Sequence, residues 1–221
     1  MDLERILPAI SVAAIPVLLA VTLHEVAHGR VALYFGDKTA SMLGRLSLNP
    51  LKHVDPFGTV LVPVLLLALH TPFLFGWAKP VPVDARNLRH PKGDMAWVAL
   101  AGPVANLVMA IAWTILGGVV HEGLFGRGVI AIWLVKMAEV GLIANVLLAV
   151  FNMLPIPPLD GGRVLVGILP SGPARVLARV EPYGFWILIA LLYLNSQIHV
   201  FDAVLGPLVD SLVALIARLF T

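Results

Sequence analysis

The sequence predicts an all-α polytopic membrane protein with about five to six transmembrane helices, a re-entrant element and a short extended edge. The 221-residue chain is 59% hydrophobic and 13% charged, with a mean hydropathy of +0.94. An ordinary soluble domain has roughly 25% charged residues. The polar connections are shorter than the roughly 50 residues of an independent domain, so residues 1–221 are expected to form a single integral-membrane domain.

Six apolar stretches set the order of the elements: 6–35, 57–75, 96–120, 129–154, 184–194 and 203–220. The first is too long for the apolar core of a signal peptide and has no small-residue cleavage site, so it is expected to remain in the mature chain. The chain has no cysteine. Disulfides and thiolate ligands are therefore excluded, and a transition metal must be held by histidine and carboxylate.

The second stretch is expected to re-enter the membrane rather than cross it. It contains Pro63 and Pro72 and precedes the proline-rich AKPVPV. Six full spans would put His24 and Asp160 on opposite faces and divide the loop cations nine to four, whereas re-entry divides them eleven to two and favours basic loops in the cytoplasm. The eleven are Lys38, Arg45, Lys52, Lys79, Arg86, Arg89, Lys92, Arg163, Arg175, Arg179 and Arg218; the two are Arg5 and Arg127.

The basic balance does not indicate a nucleic-acid partner. The formal net charge is +2 and the pI is about 9.2. The cations lie in loops beside apolar stretches, where lysine and arginine set membrane orientation. We therefore predict a lipid bilayer as the surroundings and no nucleic acid as a partner.

The stretch LHEVAHGRV at 23–31 places three ionisable residues inside an apolar segment. In a helix, residues four apart lie one turn above each other, so His24 and His28 can present imidazoles to one metal ion. Glu25 is placed to reach an activated water without being a ligand, as in the H-E-x-x-H arrangement of zinc enzymes. The alternative, histidines that only bond neighbouring helices, has to account for three costly polar residues within five positions.

A catalytic zinc commonly takes three protein ligands, and FNMLPIPPLDGGR at 151–163 offers the third. Its prolines cannot continue a regular helix, and Gly161 and Gly162 permit backbone shapes closed to other residues. Asp160 therefore lies where the fourth apolar stretch breaks, a feature tolerated at membrane depth beside an enclosed cavity. The alternative is a plain helix end followed by a turn.

HEVAHG, ALAGPVAN and NMLPIPPLDGG together resemble the site-2 protease family of intramembrane zinc metalloproteases. GRLSLNPLKHVDPFG and FGWAKPVPVDARNLR resemble its short prokaryotic branch, which lacks a PDZ domain. The resemblance spans roughly residues 23–164. It implies a prokaryotic cell membrane and cleavage within or near a transmembrane segment of another membrane protein, with zinc on His24, His28 and Asp160 and with Glu25 as the base.

Four further polar residues have expected roles. By the resemblance, Asn152 is a catalytic residue that contacts the substrate or the developing oxyanion; otherwise it ties the broken helix to a neighbour. Asn106 is expected to serve packing and hydrogen bonding beside the close helix contact at Gly102. His53 is expected to be a solvated loop residue, with an approach to the metal or the substrate as the alternative. His70 is expected to gate or wet the site.

The predicted mechanism is attack on a peptide carbonyl by water that Glu25 deprotonates. The substrate helix must unwind locally, and the edge FGWAKPVPV is expected to hold the unwound strand by backbone pairing. A metal transporter is one alternative, but it has no need of Glu25 and would show repeated pore-lining polar positions. A catalytically silent binder of the same fold is another, although every expected catalytic residue is present. No oligomeric state is predicted.

Overall fold

The computed structural model describes residues 3–69, 71, 76–123 and 126–220. Within these ranges the protein is helical and contains no strand. The short helix α2 follows α1, and a π-helical stretch at Pro56–Leu61 leads into α3. The helices are α1 Leu3–Tyr34, α2 Thr39–Met42, α3 Val62–Ala68, α4 Pro91–His121, α5 Val129–Asn152, α6 Asp160–Ile168, α7 Ser171–Ala178, α8 Gly184–Ile198 and α9 Val200–Phe220.

In the part of the chain that the structure describes, five helical segments are long and apolar enough to cross a membrane: Leu7–Tyr34, Pro91–His121, Val129–Asn152, Ser171–Ile198 and Ala203–Phe220. The apolar helix at Pro56–Ala68 is shorter than these. The predicted class, a multi-pass all-α membrane protein, is confirmed. His70, Pro72 and the rest of the predicted return of the re-entrant element, except Thr71, lie outside the described residues.

Helices α1, α4 and α5 form the centre of the molecule, and α9 covers one side of it. Ala110 on α4, Val146 on α5 and Ile216 on α9 pack into one apolar cluster. Gly141 on α5 lies directly against the indole of Trp113, since a Cβ there would come within 2.4 Å of the ring. This close packing fixes the polar faces of the helices against one another.

The fourth apolar stretch breaks where the prolines predict. Helix α5 ends at Asn152, residues 153–159 form turns, and α6 begins at Asp160. The expectation that the two glycines adopt backbone shapes closed to other residues is wrong, because both lie in α6 without a positive φ. A Cβ on Gly161 would lie 2.2 Å from the Met153 carbonyl oxygen, and one on Gly162 would lie 2.4 Å from the Pro157 nitrogen. The glycines let α6 pack against the turns that precede it.

Asp37 ties the end of α1 to the loop before α4. Its carboxylate accepts hydrogen bonds from the Thr39 N–H and hydroxyl, the Asp84 N–H and the Asn87 amide. Burial raises the pKa of Asp37, but these hydrogen bonds outweigh it and the net pKa lies below its ordinary value. The network holds residue 84, and with it the end of the non-helical segment 76–84, against the first helix.

Candidate metal centre

His24 and His28 on α1 and Asp160 at the start of α6 meet in one buried cluster. The three side chains belong to residues 8%, 9% and 7% exposed. The two Nε2 atoms lie 3.0 Å apart, and the Asp160 Oδ2 atom lies 3.1 Å from His24 Nε2 and 3.5 Å from His28 Nε2. The structure therefore brings together the three residues that the sequence predicts as metal ligands.

The outer nitrogens of both imidazoles face hydrogen-bond acceptors. His24 Nδ1 is 2.6 Å from the Asn106 Oδ1 atom, and His28 Nδ1 is 2.7 Å from the Val98 carbonyl oxygen. Neither oxygen can donate, so each Nδ1 carries the proton in a neutral ring and each Nε2 presents a lone pair. These acceptors set the ring orientation and the tautomer.

Three lone-pair atoms thus converge in a buried space, and the Asp160 Oδ2 atom has no hydrogen-bond partner among the residues that the structure describes. Such a cluster is stable only with a cation or a shared proton at its centre. A tetrahedral zinc with ligands at about 2.0–2.2 Å separates nitrogen and oxygen ligands by about 3.3–3.6 Å. The observed separations differ from this by a few tenths of an ångström, so the residues present fit zinc.

A chain of amides behind His24 fixes the first ring. Asn106 Nδ2 donates to the Asn145 Oδ1 atom over 2.9 Å, and Asn145 Nδ2 donates to the Gly141 carbonyl oxygen over 2.8 Å. Both asparagines are fully buried. These bonds leave Asn106 Oδ1 facing His24. Asn106 therefore has the hydrogen-bonding role that the sequence predicts, but its partner is the candidate ligand itself.

Asn106→Leu is expected to weaken zinc binding by about 10- to 100-fold, because losing the partner of a ligating imidazole releases its orientation. Competition with a chromophoric chelator measures the zinc affinity of the purified protein. Thr114→Val is the control, since Thr114 is a buried polar residue on the same helix whose hydroxyl donates to the Ala110 carbonyl oxygen of that helix. Equal zinc affinity of the Asn106→Leu and unmodified proteins would contradict the role given to Asn106.

Gly102 lets α4 pack directly against both candidate ligands. A Cβ at this position would lie 2.5 Å from the His28 Nε2 atom and 2.5 Å from the His24 Cε1 atom. The close helix contact predicted here is therefore present. It serves the cluster as well as the helix pair, because any side chain at position 102 would enter the space between the rings.

Glu25 lies beside the cluster on the adjacent face of α1. Its Oε2 atom accepts a 2.7 Å hydrogen bond from the Val81 backbone N–H, and the residue is half-buried. The bond joins the glutamate to segment 76–84. A backbone amide pins one carboxylate oxygen and leaves the other free to accept a proton.

The hydrogen bonds of Asn152 and His53 are made to residues outside the cluster. The Asn152 amide donates to the Leu148 carbonyl of its own helix over 3.0 Å. His53 is 2% exposed, so the expectation of a solvated residue is wrong. Its Nε2 donates to the Ser47 carbonyl oxygen over 2.8 Å, and its Nδ1 has no hydrogen-bond partner within the described ranges. His53 also lines a cavity of about 230 Å³ with Thr22.

The fold and the site define a multi-pass membrane protein with a buried two-histidine, one-aspartate centre and an adjacent glutamate. The model of Peptidase family M50 matches residues 124–194, which include Asp160. The chain is 36% identical over 209 residues to the "Putative zinc metalloprotease YwhC" of Bacillus subtilis, covering 93% of this chain and 91% of that protein. The chain therefore belongs to peptidase family M50, the site-2 protease family, and the resemblance is confirmed.

A second relative is the "Putative zinc metalloprotease Rip2" of Mycolicibacterium smegmatis. It is 35% identical over 175 residues, which are 79% of this chain and 64% of that protein. The Mycobacterium tuberculosis protein of the same name is 29% identical over 178 residues, covering 79% of this chain and 63% of that protein. No solved structure matches the chain.

Proposed function

We propose that this protein is an intramembrane zinc metalloprotease that hydrolyses a peptide bond within or near a transmembrane segment of another membrane protein. The supporting observation is the convergence of His24 Nε2, His28 Nε2 and Asp160 Oδ2 beside the Glu25 carboxylate. Both histidines and the glutamate lie on α1, which is long and apolar enough to span a bilayer, and Asp160 is the first residue of the short helix α6. Zinc on these ligands supplies a Lewis acid that polarises the carbonyl and acidifies water. The relatives named as zinc metalloproteases support the same ion.

Glu25 is the general base of the proposed reaction. Val81 N–H holds its Oε2 atom, so the Oε1 atom takes the proton of the attacking water. Glu25 then delivers this proton to the leaving amine nitrogen. Asn152 is proposed to donate a hydrogen bond from its amide to the developing oxyanion. One amide hydrogen is used at the Leu148 carbonyl oxygen, and the second is the donor for this role.

Segment 76–84 is proposed to receive the unwound substrate strand along its outer side. Its inner side is occupied, since the N–H groups of Trp77 and Lys79 donate to the Gly58 and His53 carbonyl oxygens. Arg45 Nη2 donates a 2.8 Å hydrogen bond to the Lys79 carbonyl oxygen and so holds the segment in place. Outward positions 80 and 82 are prolines and have no N–H, so Ala78 is proposed as a backbone donor of this edge.

The site is proposed to lie toward the cytoplasmic side of a prokaryotic cell membrane. Lys38, Arg45 and Lys52 follow the end of α1, and Lys92 lies in the first turn of α4. This end of the molecule therefore carries the cations that the positive-inside tendency places in the cytoplasm.

The decisive experiment measures cleavage of a co-reconstituted model transmembrane substrate by the purified full-length protein. Chelation is expected to abolish cleavage, and added zinc is expected to restore it, because the cluster supplies all three protein ligands. Asp160→Ala is expected to lower both zinc content and cleavage. Full cleavage after complete removal of the metal would overturn the proposal.

A further inference from the structure

A groove of about 610 Å³ runs between segment 80–85, the start of α4 and helix α6. One wall contains Val81, whose N–H holds Glu25. Helix α6 contributes Arg163 to the lining, three residues after Asp160. The groove therefore borders the general base through Val81 and a candidate metal ligand through α6.

The groove is lined by apolar side chains together with two cations. Val83, Met95 and Val166 supply apolar lining, whereas Lys92 and Arg163 supply cations and Glu181 supplies the one carboxylate among the described lining residues. Such a surface suits a peptide in extended conformation that carries an acidic side chain.

The Arg163 guanidinium has a donor nitrogen that the ion pair with Glu181 does not use. Its Nε and Nη2 atoms both donate to the same Glu181 oxygen, Oε1, over 3.1 and 2.9 Å. Its Nη1 atom makes no hydrogen bond among the described residues, and its side chain is 44% exposed. Lys92 Nζ donates to the Leu169 carbonyl oxygen and has further ammonium hydrogens. A second carboxylate can therefore bind while the Arg163–Glu181 pair persists.

We propose that this groove binds the cytoplasmic flank of the substrate next to the cleaved bond, and that Arg163, with Lys92, selects an aspartate or glutamate there. The proposal rests on the proposed function. Helix α6 rises about 1.5 Å per residue and an extended peptide about 3.3 Å per residue. The three residues from Asp160 to Arg163 therefore correspond to about one to two residues of extended peptide. The long arginine side chain extends this reach by about one to two residues more, so the selected carboxylate lies about two to four residues from the cleaved bond.

The test compares otherwise identical transmembrane substrates that carry Asp or Asn two, three or four residues from the cut on the cytoplasmic flank. For the unmodified protein we expect kcat/KM to favour Asp by about three- to tenfold at the best position, as for a partly exposed charge-assisted pair. Arg163→Gln is expected to bring this ratio close to one. Arg175→Gln, which alters an exposed arginine on α7 bonded to the Ser171 carbonyl, is expected to retain it.

Glu181→Gln separates selection of the substrate from the structural role of the ion pair. It breaks the same pair as Arg163→Gln but leaves both cations, so the Asp preference is expected to persist or increase. The inference is overturned if Arg163→Gln keeps the preference, or if Glu181→Gln loses it as well. Failure of the unmodified, zinc-loaded protein to cleave any of these substrates would instead count against the proposed function.

Discussion

Glu25→Gln is expected to lower the cleavage rate by about 10²- to 10⁴-fold while leaving the zinc content of the protein unchanged. The amide oxygen of glutamine can still accept the Val81 N–H, so the side chain keeps its position. It cannot accept a proton from water at neutral pH. The variant therefore removes the proton transfer and preserves His24, His28 and Asp160.

This prediction is tested by measuring the single-turnover cleavage rate and the zinc content of the same preparation. Glu139→Gln is the matched control, because it makes the same change of carboxylate to amide at an exposed position on α5. It is expected to cleave at the unmodified rate. A Glu25→Gln protein that binds zinc and also cleaves normally would exclude Glu25 as the base.

The candidate ligands were predictable from the sequence because each lies in a pattern with its own physical reason. His24 and His28 are one helical turn apart, and this relation holds wherever the helix is placed. Asp160 follows three prolines that must end a helix, and the structure begins α6 at that residue. Helix breaks and one-turn spacings are local features, so they can be read without the tertiary arrangement.

The supporting contacts depend on the rotation of one helix against another and were not predicted. Val98 acts through its backbone carbonyl and Val81 through its backbone N–H. Every residue has the carbonyl and every residue but proline has the N–H, so the residue type at these positions does not indicate the contact. Asn145 did carry a signal, because an asparagine within an apolar span is costly unless it is bonded. Its pairing with Asn106 joins residues 39 apart and required the packed α4 and α5.

The second prediction concerns the packing of α4 against the cluster. Gly102→Ala is expected to abolish stoichiometric zinc binding and to lower cleavage at least as much as Glu25→Gln. The new methyl group would lie 2.5 Å from a candidate ligand nitrogen, His28 Nε2, and 2.5 Å from the His24 ring. Either the rings rotate away from Asp160 or α4 moves outward, and both changes separate the atoms that hold the ion.

Zinc content after gel filtration, together with cleavage, measures the effect of Gly102→Ala. Gly93→Ala is the control on the same helix, because a Cβ at position 93 meets no atom within 4 Å. Alanine is also the better helix former, so this control is expected to fold and to cleave as the unmodified protein does. A folded Gly102→Ala protein with full zinc content would show that α4 does not close on the two imidazoles. Both variants add the same methyl group to α4. Loss of zinc from Gly102→Ala but not from Gly93→Ala would therefore locate the metal centre at the contact around position 102.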